Sequence, residues 1–234
     1  MNRRERQHDN IREEVKAVAR KHMAAQGTAA ISLRAIAREM ELSAPALYRY
    51  FPSRDDLITA LIVDSFNSQG AAMRTAVEAA GADVLARLAA FMFAYRDWAL
   101  THTVEFELIY GNPIPDYHAP VDITSPAAQT ALEVGVHAID EALACGALIP
   151  TMSADDIPPE VRPTLEAQSI KYTPPVSPLA LYISMEMWGQ GHGLIMLELF
   201  GHLQPTLGNP AAFYRRQVSD LIRRIGGRVG SAIQ

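Results

Sequence analysis

Residues 33–51, LRAIAREMELSAPALYRYF, compress two short helices and their connection into nineteen positions, and this constrains the chain more than any other feature. Leu33, Ile36, Ala37 and Met40 form an i, i+3, i+4, i+7 apolar stripe, and Ser32 stands where an N-cap belongs. Only Glu41 and Leu42 separate that helix from Ser43, the N-cap of the next. Pro45 falls in the second helix's first turn, where its missing N–H costs nothing. At about 100° per residue, Leu47 and Phe51 share the buried side and Pro45, Ala46 and Arg49 lie opposite. Tyr48 and Tyr50 flank that face about 80° to either side of the buried centre. The unit is a helix-turn-helix.

Such a face suits the major groove of DNA. Small side chains at Ala44, Pro45 and Ala46 let the backbone approach base edges, and Arg49 can reach guanine or a phosphate. Tyr48 and Tyr50 can donate to phosphates, and Ser32 and Arg54 can clamp the backbone from either side. Charge is distributed accordingly. Residues 1–56 carry eleven basic and eight acidic side chains, and residues 57–234 carry ten and eighteen. A basic head meets a polyanion more readily than an acidic body does. From spacing alone, a surface helix pair that merely packs remains the alternative.

The remainder reads as helical, because Ala and Leu dominate and no period-two alternation is sustained. Helices are expected at about 9–26, from Arg54 onward, and near 82–102, 103–110, 126–148, 178–203 and 210–226; residues 153–169 stay open between helix and loop. Proline-rich breaks fall at 111–120 and 171–178. The apolar stretch 179–200 is long enough for a bilayer, but Glu186, His192 and Glu198 argue for a buried helix. The opening MNRRERQHDNIREE has no apolar segment and does not read as a secretory signal. Its RRER can serve as a flexible arm along DNA or as a solvated tail. One cysteine, Cys145, permits no internal disulfide and suits a reducing cytoplasm.

Residues 31–61, ISLRAIAREMELSAPALYRYFPSRDDLITAL, closely resemble the DNA-binding domain of the TetR family of bacterial transcriptional regulators. The Ser-x-Arg-x-Ile-Ala run, Ser43, the Leu47-Tyr48 pair, Phe51 and a basic residue ahead of Leu57 carry the likeness. The resemblance implies an all-α homodimer whose heads bind a palindromic operator and whose body binds a small effector that loosens the DNA. It places Ala44, Pro45, Ala46 and Arg49 at bases, and Ser32, Arg34, Ser43, Tyr48, Tyr50 and Arg54 at phosphates or in support of that grip. Glu41 stands where the family commonly has Gly, Tyr50 where His is frequent, and Arg54 where Lys is frequent. Residues 185–203 also resemble a regulatory domain named for a Trp-His-Gly motif, here Trp188, His192 and Gly193.

For the body, Phe91, Tyr95, Trp98, Phe106, Tyr110, Met185, Trp188 and His192 are expected to line a mostly apolar pocket, with plain core packing as the alternative. GQGHG at 189–193 follows no strand and is not a dinucleotide loop. Glu198 and His202, four apart, read as an ordinary polar pair and not a metal site. No catalytic set, metal or cofactor is expected.

The expectation is therefore an all-α fold with an N-terminal three-helix DNA-binding domain at 1–54 and a ligand-binding and dimerisation bundle at 55–234. The function expected is a cytoplasmic, ligand-responsive transcriptional regulator, a repressor released from operator DNA by a small apolar effector. The alternative is a helical small-molecule-binding protein or enzyme without a DNA function.

Overall fold

The structure, a computed structural model, describes residues 2–228, and among these the chain is all-helical. It divides into two compact units, Met1–Ser68 with His102–Ala128, and Gln69–Thr101 with Gln129–Gln234. The unit that holds the helix-turn-helix thus takes in more chain than residues 1–54.

In the first unit, α1 (Arg3–Gln26) begins six residues ahead of the expected start. The reason is a capping box. Asn2 Oδ1 accepts the N–H groups of Arg4 and Glu5 at 2.9 and 3.0 Å, and the Glu5 carboxylate accepts the Asn2 N–H at 2.8 Å. RRER is consequently the first turn of a helix, neither flexible arm nor tail. α1 stops at Gly27, whose φ of 85° is a glycine conformation and whose N–H reaches Met23 O at 2.7 Å.

α2 (Leu33–Glu39) and α3 (Ala44–Leu47) are capped as expected, with Ser32 Oγ accepting from Ala35 N–H and Ser43 Oγ from Ala46 N–H. Between them Glu41 takes a left-handed φ of 55°, and Leu42 N–H returns to Ala37 O at 2.8 Å. This is the turn that a Gly closes more cheaply. α4 (Arg54–Ala79) begins in this unit. Val15, Ala19, Met23, Leu33, Ile36, Leu47, Phe51, Leu57 and Leu61 form its core. α6 (Thr103–Tyr110) adds Phe106. An ion network ties the elements, with Lys16 Nζ at 2.6 Å and Arg20 Nη2 at 3.2 Å from Asp64, and Arg20 Nε at 3.3 Å from Glu105.

α7 (Val121–Ala144) starts five residues before the expected 126, so Pro126 lies inside it. Pro126 is close enough to the start to cost a single backbone bond, and Thr124 Oγ1 donates to Pro120 O at 3.0 Å to fasten the first turn.

The second unit contains α5 (Val84–Thr101), the later part of α7, α8 (Arg162–Ser169), α9 (Pro178–Leu199), α10 (Gln204–Leu207) and α11 (Pro210–Arg224). α5 packs on both α9 and α11. Gly191 permits that approach, because a Cβ there would stand 2.4 Å from Met92 Cε and 3.3 Å from Tyr214 Oη. Tyr214, buried on α11, donates to Met92 O at 3.0 Å, and burial pushes its phenol well above the ordinary tyrosine range. α9 ends in a Schellman turn, with Gly201 at φ 74° and His202 N–H on Leu197 O at 2.8 Å. No helix among the described residues is long and apolar enough to cross a membrane.

Candidate nucleic-acid interface and body cavity

Ser32, Arg34, Ser43, Pro45, Tyr48 and Arg49 are exposed, and Ala44, Ala46 and Tyr50 are half-buried, so the face expected to meet DNA is open to solvent. Leu47 and Phe51 are buried beneath it, as the periodicity requires. Arg12 braces it from below. Its guanidinium lies 4.2 Å from the centroid of the Phe51 ring, and Nη1 donates to Tyr50 O. Arg54, expected at a phosphate or in support of that grip, is engaged with the backbone. Its Nε donates to Ile31 O at 3.1 Å and Nη2 to Ala29 O at 3.3 Å, so it ties the start of α4 to the segment that leads into α2. Only the folded contacts show this, since both acceptors are backbone carbonyls more than twenty residues away.

In the second unit a small cavity of about 30 Å³ is lined by Phe91, Met92 and Tyr95 from α5, Gly135 and Val136 from α7, and Met185 and Trp188 from α9, among others. Gly135 makes room for the Phe91 ring, whose Cζ would stand 2.6 Å from a Cβ there. Met185 is half exposed and forms the rim.

At one end three polar groups meet. Trp188 Nε1 can only donate, and Tyr95 Oη accepts it at 3.3 Å. The same Tyr95 oxygen lies 2.7 Å from His192 Nδ1, within hydrogen-bond reach. Burial holds His192 below the usual histidine range, so the neutral ring is the favoured form.

Of the eight residues expected in one pocket, Phe91, Tyr95, Met185 and Trp188 border this cavity and His192 supports it through Tyr95. Trp98 is buried on α5 but is not among the lining side chains. Phe106 and Tyr110 belong to the first unit, where Tyr110 packs edge-on against Phe66 at 6.0 Å, so they do not line it. Sequence reasoning passed over Gly135, and its one signal is a glycine in an otherwise regular helix. One of the wider spaces in the first unit is an open cleft of about 370 Å³ between Ile62 and Phe66 of α4, Leu108 of α6 and Thr124 of α7. Glu198 is engaged by Arg96, with Nε to Oε2 at 2.7 Å. Among the described residues no three His, Cys, Asp or Glu side chains are grouped to hold a metal.

These features define a helix-turn-helix regulator. Residues 17–61 match the family described as bacterial regulatory proteins, tetR family, and residues 88–221 match the tetracyclin repressor-like C-terminal domain. The chain is 30% identical over 217 residues to the HTH-type transcriptional regulators Mb1846 of Mycobacterium bovis and Rv1816 of Mycobacterium tuberculosis, covering 92% of each chain. The crystal structure of SCO4313 superposes with a TM-score of 0.78 at 36% identity, over 95% of this chain and all of that one. RolR in complex with resorcinol shares the fold, with a TM-score of 0.56, 14% identity, and coverage of 95% and 91%. The chain belongs to the TetR family of DNA-binding transcriptional regulators.

Proposed function

We propose that this chain is a homodimeric repressor that holds a palindromic operator and releases it when a small, largely apolar effector enters the body. DNA reading is assigned to residues 1–54, and effector binding and dimerisation to 55–234. Arg49 reads a base, with Ala44, Pro45 and Ala46 against the groove floor. Ser32, Arg34, Ser43, Tyr48 and Tyr50 take phosphates, and Arg54 positions α2 for them. The site of action is the cytoplasm.

The observation that carries this reading is the open, braced face of α3, with Leu47 and Phe51 buried and Arg49 exposed. A second copy is assigned to α9, where Met185, Gly189, Gly193, Leu197 and Phe200 form an exposed stripe of small and apolar residues. A Cβ at Gly189 or Gly193 would meet nothing within 4 Å, leaving space for a partner's backbone. Trp188, His192 and Gly193 are assigned as the motif of the Trp-His-Gly type of body.

Phe91, Tyr95, Met185 and Trp188 are the proposed effector contacts. A cavity of about 30 Å³ holds little more than one water, whereas small-molecule sites run to about 300 Å³ or more. The effector must therefore open it, and Met185 is the side chain to move. Met185 also lies on the dimer stripe, so opening the cavity disturbs the surface that sets the spacing of two heads. The test is a competition. Compounds that raise the protein's melting temperature are titrated into a preformed operator complex. Loss of operator binding at the concentration that stabilises the free protein supports the reading. A compound that occupies the cavity and leaves operator affinity untouched contradicts it.

A further inference from the structure

The first turns of α1 project beyond the packed core. Residues 2–10 are exposed and Val15 is the first buried position of the helix. Nine exposed residues with no apolar face gain nothing from packing, yet they are fastened at two points. The Asn2–Glu5 capping box closes the end. One face leans on the exit of α3, where the His8 ring lies 4.9 Å from that of Tyr50, tilted 37°, and Arg12 bonds Tyr50 O from one turn further along. Arg4, His8 and Arg12 are spaced i, i+4, i+8 and so share that face. Arg4 is therefore carried about 12 Å along the axis from Arg12, past Tyr50.

The charge of this segment is arranged for a polyanion. Arg3, Arg4 and Arg6 are all exposed. Of the two acids, Glu5 is turned back onto the Asn2 N–H, and Asp9 lies 3.7 Å from His8. A basic, ordered surface continuous with a face that meets DNA extends that face outward.

We propose that the first turns of α1 form a second phosphate grip, in which Arg4, aligned by the contact of His8 with Tyr50, binds the duplex backbone flanking the bases read by α3. The grip adds affinity without sequence preference, because phosphates carry none. It rests on the regulator reading above.

The experiment uses the full chain and an operator selected from random-sequence DNA, in a salt series followed by fluorescence anisotropy. Arg4→Ala is expected to weaken operator and random duplex alike, by roughly three- to tenfold at low salt, and to reduce the salt slope by about 1. Arg6→Ala, about 200° around the helix from Arg4, is expected to change the slope less. Both side chains are exposed and outside the capping box, so circular dichroism should match the wild type. An unchanged slope in Arg4→Ala overturns the grip and leaves the regulator reading standing. Equal losses in the two variants overturn the face-specific alignment. If the wild type selects no operator at all, the regulator reading itself falls, and the grip with it.

Discussion

Tyr95 Oη and His192 Nδ1 lie 2.7 Å apart, ninety-seven residues distant in sequence, and join α5 to α9 at the edge of the body cavity. The same oxygen accepts from Trp188 Nε1. Tyr95→Phe removes both of these hydrogen bonds from a half-buried site. Unfolding in urea should show a loss of about 1–3 kcal/mol. A variant as stable as the wild type would mean that water replaces the phenol at no cost.

His192 also gives the body a pH dependence. Its pKa is lowered by burial, so the unfolded chain takes up a proton at about 6.5 while the folded chain resists it. Between those two pKa values the unfolded state binds more protons, and stability therefore falls as the pH drops below about 6.5. His192→Gln keeps a polar group and removes that titration. Melting temperatures from pH 7 to pH 5 should fall more steeply for the wild type than for His192→Gln; parallel curves would remove His192 from the pH response.

Glu41 occupies a left-handed turn. Its side chain costs about 1 kcal/mol there, partly offset by the greater freedom a glycine has when unfolded. Glu41→Gly should leave operator affinity unchanged and stabilise the protein by up to about 1 kcal/mol. Glu41→Val should destabilise it, because a β-branched residue tolerates this φ least. If both variants melt with the wild type, the turn is not strained.

Arg49 and Arg54 should separate by what they break. Arg49→Ala should cost specific DNA binding about 1–3 kcal/mol with no change in unfolding, as expected for an exposed side chain that reads a guanine. Arg54→Ala should lower stability and operator affinity together, since it releases the carbonyls of Ile31 and Ala29. The check is denaturation and anisotropy on each variant. The opposite pattern would return Arg54 to the phosphate and Arg49 to structure.

The helix-turn-helix was legible in the sequence because its determinants are local. Ser32 and Ser43 cap within three residues, and Leu47 and Phe51 are one turn apart on the side that became buried. Tertiary partners were not. Arg54 reads as a free cation until the fold brings Ala29 and Ile31 to it. Helical spacing marks Tyr95 and Tyr110 equally as pocket aromatics, yet α5 and α6 belong to different units. Pro126 reads as a helix start because proline favours a first turn, but Thr124 and Pro120 begin α7 earlier. Cavity size is a difference between packed volumes, and no pattern in a sequence reports it.

That difference can be tested at Gly135. A methyl group there would meet the Phe91 ring at 2.6 Å, and the adjoining cavity is where the ring would go. Gly135→Ala should therefore keep operator binding and weaken or abolish its loss on adding effector. A variant that responds as the wild type does would move the effector elsewhere, and the cleft beside Ile62 and Phe66 is one wider alternative.

The central claim is that a dimer of this chain reads DNA through α3. The most direct measurement is selection from random-sequence duplexes with the purified protein, followed by anisotropy on the enriched sequence across a salt series. The result predicted is a palindrome with half-sites about one helical turn or a multiple apart, bound at least about a thousandfold more tightly than random DNA and weakening linearly in log salt. No enriched sequence, with equal affinity for every duplex at every salt, would contradict it.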